Sequence, residues 1–519
     1  VKGFAGTTYD EVPYMAASFS NTHPENLAVT ALMRGLDVPP LAGARVLELG
    51  CARGANLVPM ACSMPGAEFV GVDLSERQIE EARAMAEAVG ASNAAFHAMD
   101  LRNLDESFGK FDYIVAHGLY SWVPPDVQEA ALEVCARRLS PNGIVYLSYN
   151  IFPGWHVSVM FRDMMLYRIR KISDPAERLR EARGFMHFLA DSVKSKESLW
   201  GFLLKEEASY VDQAKDWYLL HDDLEEENNP VYFSDMIERT ARHGLQYVTE
   251  ERWGTPDEIL SPEVWKVLDG FATDRIEREQ YLDFLRNGRF RRSLFCHAGR
   301  PLAPGPVPER LQPCRFRSRV RPADPVADPF APGDERFVGE GDRFLTTADV
   351  RLRALLHVLY DVWPGTLDFP AAIHVLAEAS RRSTGGAPPQ PVLERLLNQA
   401  LLAQLVSTHL LDLSIATALP ARPVATPIAR YQAPRGDSVT NLFHQPLDLE
   451  PLDRFVVALL DGTRTQADVE SAVAEAIAAG HLSPTASGRP PEENEETTSA
   501  TELADLSLSR LVAGCFILG

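Results

Sequence analysis

"GARVLELGCARGANLVPMA", Gly43 to Ala61, sets a short apolar run, a carboxylate and several small residues ahead of a helix-like stretch. The run Arg45 to Leu49 has the length and composition of a buried strand. Gly50, Ala52 and Gly54 then remove side chains where the chain must bend sharply, which lets a ligand approach the backbone. Such a turn, between a strand and a helix, suits a nucleotide-like ligand held at the carboxyl end of the strand.

Outward from this turn, residues 1–160 alternate strand-like and helix-like segments. The spacing predicts strands at Arg45 to Leu49, Glu68 to Val72, Ala94 to Ala98, Tyr113 to Ala116 and Ile144 to Tyr149. In "ERQIEEARAMAEAVG", Ile79, Ala82, Ala86 and Val89 recur at helical spacing, and Gly90 supplies the stop. This is the pattern of an α/β domain: a doubly wound, mostly parallel, Rossmann-like sheet with helices on both faces. Residues 161–209 read as a charged helical connector and 210–298 as a mixed helical middle domain. In the latter the acids from Asp222 to Glu227 read as a solvated loop. A Pro/Arg-rich linker or wrapping arm is expected at 299–334, and a mainly helical domain at 335–519, with a disordered polar insertion near 480–500.

Composition narrows the function. A net charge of -21 over 519 residues opposes sequence-independent binding to nucleic acid, whose affinity comes from phosphate attraction. The six cysteines form no CxxC pair, so neither structural zinc nor a disulfide framework is expected. No metal-ligand spacing, Gly-x-Ser-x-Gly elbow or phosphate loop occurs either. The most apolar stretch is broken by Asn398, Gln399, Gln404, His409 and Asp412, which argues against membrane insertion; with no basic-then-apolar leader, a cytoplasmic location is expected.

Three acids end three successive strands: Glu48, Asp73 and Asp100. A carboxylate at Asp73 can accept both hydroxyls of a ribose, as in NAD sites and S-adenosylmethionine sites alike. Glu48 separates the two. It would repel a pyrophosphate, but it favours a ligand carrying an ammonium and a sulfonium. Asp100 can accept from an adenine amino group, with Leu101 offering its backbone N–H and an apolar face. The fourth strand runs into "AHGLYSWVP", an aromatic turn at the sheet's carboxyl edge.

The ordered series "VLELGCARG", "VGVDLS", "MDL", "FDYIVAHG" and "LSPNGIVYLSYN" resembles the motifs of class I S-adenosylmethionine-dependent methyltransferases. More narrowly, "YDEVPYMAASFSNTHPENLA", "NLVPMA" and "YLLHDDLEEENNPVYFSDMIERTARHGLQYV" resemble the rickettsial-type protein lysine methyltransferases of outer-membrane proteins. That resemblance covers the first two thirds well and the last third loosely. It implies a seven-stranded methyltransferase sheet with an N-terminal lid, a methyltransferase regulatory domain and a winged-helix-like C-terminal region. The implied activity is methyl transfer to a protein or peptide, with lysine as the acceptor by resemblance alone. A small-molecule acceptor, a non-catalytic scaffold and an NAD oxidoreductase stay open as rivals, and so does a homodimer.

The cofactor-binding set is then Glu48, Gly50, Cys51, Ala52, Gly54, Asn56, Asp73, Leu74, Asp100, Leu101 and His117. Ala52 departs from the glycine that many methyltransferases carry there. Arg53 either faces solvent or meets the methionine carboxylate. For the reacting site the candidates are His117, which can take a proton or hydrogen-bond to the cofactor, and the aromatic residues Tyr9, Tyr14, Tyr120 and Trp122; Tyr149 and Trp155 are further wall candidates. His23 reads as the cap of a helix begun by Pro24, and Cys51 as a small buried filler.

Overall fold

The computed structural model describes residues 17–251, 260–324, 330, 333–339, 344–402, 405–436, 438–485 and 498–519. β1 (Arg45–Leu49), β2 (Glu68–Asp73), β3 (Ala94–Ala98), β4 (Phe111–Ala116) and β5 (Leu139–Asn150) are mutually parallel. With β6 (Leu245–Glu250) and β7 (Phe290–His297) they form one sheet in the order β3-β2-β1-β4-β5-β7-β6. The chain leaves β1 toward β2 and later returns on its other side as β4, so a crevice opens at the carboxyl ends of these two strands, where α/β sheets place ligands.

Side-chain alternation along β1 decides where the key carboxylate goes. Val46 enters the core that also holds Leu27, Leu57 and Ile79; Leu47 and Leu49 enter the opposite core, with Leu132, Phe233 and Met236. A strand's period of two therefore sends Glu48 to the face of Val46. That face is covered by α1 (Pro24–Leu32), α2 (Leu57–Ser63) and α3 (Glu76–Val89). Ser75 caps α3 by accepting from the Gln78 N–H at 3.2 Å, and Gly90 ends it at φ 75°. The five predicted strands and this helix all form.

Beyond residue 160 the outcome differs. The segment assigned to a separate middle domain supplies β6 and β7, and β7 runs antiparallel to β5, so the sheet crosses the expected boundary. The physical reason is that β5 would otherwise present an open edge. Residues 161–224 build a helical core of their own, around Phe161, Met186 and Leu204. The Pro/Arg-rich stretch is no free linker: Leu311, Cys314, Phe316 and Val320 are buried with Val29 of α1 and with Met33, which ends that helix. The last third holds two cores, one spanning Leu352 to Val406 and one spanning Ala416 to Ile517. Most of the expected disordered insertion, residues 486–497, lies outside the described residues. No helix among the described residues is long and apolar enough to cross a membrane.

Helix α1 ties these units together. The Glu25 carboxylate accepts from the backbone N–H groups of Leu410 and Leu411 at 2.7 and 2.6 Å, and lies 3.2 Å from His409 Nδ1. Burial opposes its ionisation, but the His409 imidazole and the Leu411 N–H outweigh that and hold its pKa at about 2. His23 caps α1 as expected, its Nδ1 accepting from the Glu25 N–H at 3.2 Å.

Gly71, in β2, allows the glycine turn to press on the sheet. A Cβ there would lie 2.7 Å from both Cys51 Sγ and Phe96 Cδ1. Gly71→Ala is therefore expected to lower stability by about 1–3 kcal/mol through overpacking. Urea unfolding followed by circular dichroism checks this; an unchanged midpoint contradicts it.

Candidate active site

The turn after β1 is built on left-handed backbone, with φ of 73° at Gly50, 46° at Ala52 and 71° at Gly54. Ala52 is the costly position, since an L-residue in this region loses about 1–2 kcal/mol. Its N–H donates to Asp73 Oδ2 at 2.9 Å, while the Ser75 N–H donates to Asp73 Oδ1 at 3.0 Å. One carboxylate thus ties the turn to the head of α3. Each of its oxygens has more than one acceptor direction, so it is suited to receive further hydroxyl donors.

Glu48 lies beneath this turn, 4% exposed. Its Oε1 accepts from Asn56 Nδ2 at 2.6 Å, and its Oε2 has no hydrogen-bond partner among the described residues. Burial pushes its pKa up to about 8, against the pull of Asn56 and with help from the Asp73 charge. A buried carboxylate left half-paired in this way favours a cation.

Residues 18–22 lie across the turn. The Phe19 N–H donates to Asn56 Oδ1 at 2.9 Å, and its ring centroid is 4.2 Å from that of His117. Asn21 Nδ2 donates to Tyr146 Oη at 2.8 Å, and that hydroxyl is 2.9 Å from His117 Nδ1. Burial, reinforced by the Arg292 charge, lowers the His117 pKa to about 3. The imidazole is therefore neutral, with the Tyr146 hydroxyl at its Nδ1, and of the two roles expected for His117 this buried setting favours hydrogen bonding over taking up a proton.

The other predicted residues divide. Cys51 is a buried filler, its thiol pushed well above the ordinary range by burial. Arg53 is partly exposed and pairs with Glu81 of α3 at 3.2 Å. Asp100 caps the short turn Leu101–Asn103 and is bound by the Arg102 guanidinium at 2.5–3.0 Å, an attachment that the sequence reading missed. Leu101 is buried beside it and Leu74 is 45% exposed at the crevice rim. Trp122 and Trp155 meet edge to face at 6.3 Å. Tyr120 is corrected from wall to core: it is 1% exposed, and its hydroxyl accepts from Arg239 at 3.3 Å on the opposite face of the sheet. Tyr149 is likewise buried, paired with Ser293 at 2.8 Å. Tyr9 and Tyr14 lie outside the described residues. Phe19, Asn21 and Tyr146 were not singled out from the sequence; the first two fall in the segment expected to form a lid, whereas Tyr146 carries no local signal.

A glycine turn over a buried, half-paired glutamate, at the switch point of a seven-stranded sheet, defines the class of S-adenosylmethionine-dependent methyltransferases. Family models agree along the chain. A methyltransferase domain matches residues 46–143, a predicted methyltransferase regulatory domain matches 215–297, and a PKMT C-terminal winged helix domain matches 421–516. The uncharacterized protein RP789 of Rickettsia prowazekii (strain Madrid E) is 32% identical over 504 residues, covering 95% of this chain and 90% of that protein. A second protein of that organism, RP028, is 38% identical over 235 residues, 45% of this chain and 94% of its own length. The structure of PKMT2 from Rickettsia typhi in complex with AdoHcy superposes with a TM-score of 0.84 at 27% identity, over 98% of this chain and 100% of that one. The chain belongs to this rickettsial-type methyltransferase family, with its regulatory and winged-helix domains. The regulatory match contains β6 and β7, so that domain completes the catalytic sheet.

The raised pKa of Glu48 has a signed consequence. In the ligand-free protein the folded state binds a proton that the unfolded state releases, so this contribution to stability is present below about pH 4.5 and is lost as pH rises toward about 8. Stability of the wild type relative to Glu48→Gln is expected to fall between pH 5 and 8, by about 1.4 kcal/mol per pH unit at most. Parallel pH profiles of the two urea midpoints would contradict this.

Proposed function

We propose that this chain transfers a methyl group from S-adenosylmethionine to an amine of a protein side chain, with lysine as the acceptor. The observation that carries the cofactor assignment is Glu48 Oε2, a buried carboxylate oxygen with no partner among the described residues, beside a glycine turn. A dinucleotide would set its pyrophosphate against that acid, whereas an ammonium matches it. Support for a protein acceptor comes from the end-to-end likeness to PKMT2 and from the large share of the chain outside the sheet.

In this reading Glu48 and Asn56 hold the amino-acid end of the cofactor. Asp73 receives the ribose hydroxyls, and Leu101 offers its backbone N–H and apolar face to the adenine, with the Arg102-bound Asp100 beside it. When bound, the cofactor supplies an electrophilic methyl group on a good leaving group, so the chain's own residues contribute alignment and the exclusion of water. Phe19 and the neutral His117 close the crevice from above, with the hydrogen bonds from Asn21 through Tyr146 fixing the imidazole. A lysine amine, with an ordinary pKa of about 10.4, reaches its reactive neutral form by desolvation. The Trp122–Trp155 pair supplies an apolar wall for that purpose.

Incubation with cofactor labelled on its methyl group and a size-fractionated bacterial lysate tests the acceptor class. Label is expected in the protein fraction, on lysine after hydrolysis; label confined to small molecules would overturn the assignment. Separately, Asp73→Ala is expected to weaken S-adenosylhomocysteine binding at least about tenfold, since charge-assisted bonds to two hydroxyls are lost. Unchanged affinity in calorimetry would move the ribose elsewhere.

A further inference from the structure

The winged-helix region reaches the cofactor crevice through one imidazole. Strands Ser438–Thr440 and Pro446–Asp448 pair as an antiparallel hairpin. Asn441 braces its tip: Oδ1 accepts from the Phe443 and Gln445 N–H groups at 2.9 and 3.0 Å, and Nδ2 donates to the Gly514 carbonyl at 3.1 Å. His444 stands on this tip with φ 58° and is 3% exposed. Its Nε2 lies 2.9 Å from Asn56 Oδ1, while its Nδ1 has no hydrogen-bond partner among the described residues. The polar contact of the ring is thus made across the domain boundary and not within its own hairpin.

Asn56 can orient its amide in one way only. The Phe19 N–H requires an acceptor, so Oδ1 faces it at 2.9 Å and Nδ2 is left to donate to Glu48 Oε1 at 2.6 Å. His444 must then donate from Nε2. The Phe19 N–H and His444 Nε2 thus both donate to one carbonyl oxygen, while Thr22 Oγ1, its own proton on the Phe19 carbonyl at 2.8 Å, accepts from Asn56 Nδ2 at 2.9 Å; together they pin the amide that holds Glu48. The same hairpin also grips the covering segment, through Thr440 Oγ1 at 3.0 Å from Ser18 Oγ.

Resting on the reading of Glu48 as the partner of the cofactor's amino group, we propose that His444 is a positioning residue: by pinning Asn56 it keeps Glu48 Oε2 aimed at that group. The C-terminal domain thereby sets affinity for the amino-acid end of the cofactor and leaves affinity for its adenosine end alone.

Calorimetry on the full-length protein with two ligands tests this. S-adenosylhomocysteine carries the amino-acid end, and 5′-methylthioadenosine lacks it. His444→Asn tolerates the left-handed backbone but is too short to reach Asn56; His444→Gln carries an amide nitrogen the same number of bonds from Cα as Nε2. The Asn variant is expected to bind S-adenosylhomocysteine about tenfold more weakly, roughly the loss of one well-placed polar contact, and 5′-methylthioadenosine within about twofold of wild type. The Gln variant is expected to restore most of the loss. Retained 5′-methylthioadenosine binding reports an intact fold, and His444→Gly, also suited to this backbone, should give the same split if the Asn variant does not fold. Equal weakening for both ligands, or no weakening for either, would overturn the proposal. Wild-type protein that binds neither ligand would overturn the cofactor reading itself, and the proposal with it.

Discussion

The site depends on one buried carboxylate that is only half-paired. Glu48 sits at the end of a parallel strand whose alternation turns it into the covered face of the sheet, where water cannot solvate it. A charge in that position is tolerated only with partners, and the protein itself supplies one side of the pairing, through Asn56. In the proposed reading the unfilled side, Glu48 Oε2, receives the cofactor's ammonium group. The surroundings follow from this need: Asn56 heads α2, the Phe19 N–H donates to it and Thr22 Oγ1 accepts from it in the N-terminal segment, and His444 donates from the far end of the chain.

This network makes α1 the element on which the assembly turns. Its Glu25 collects two backbone N–H groups and an imidazole from residues 409–411, while its apolar face is shared between the sheet and the core of the Pro/Arg-rich arm. Buried polar contacts of this kind add specificity of docking, because a shifted register would leave several of them unpaired. The C-terminal cores are thereby docked against the sheet, and the hairpin that carries His444 is brought within 2.9 Å of Asn56.

The regulatory region is integrated by a different device. β7 closes the edge of β5, and Arg291 on β7 is 6% exposed among Glu250, Asp283 and Glu279 at 2.7, 2.9 and 3.1 Å. Three carboxylates around one guanidinium satisfy its planar fork from strand β6 and from helix Arg275–Arg286 together. Their combined charge outweighs the burial penalty and holds the guanidinium protonated, while burial raises the Asp283 carboxyl to about 6. The domain named for regulation is thus also a structural continuation of the catalytic sheet.

What the amino-acid sequence determined by itself was everything encoded at short range. Apolar spacing marked β1 to β5 and α3, small residues marked the turn, and three acids at successive strand ends suggested the ligand's chemistry, Glu48 its charge, Asp73 its ribose and Asp100 its adenine. The hydroxyl and imidazole chain from Asn21 to Tyr146 to His117 escaped that reading, as did the burial of Tyr120, because a tyrosine in a strand looks the same whether its hydroxyl meets the crevice or the opposite core. The pairing of β5 with β7 and the approach of His444 to Asn56 were decided only by tertiary structure. Both are contacts between segments far apart in the chain, fixed by which faces remain to be covered once the local elements have formed, and no local spacing carries that information.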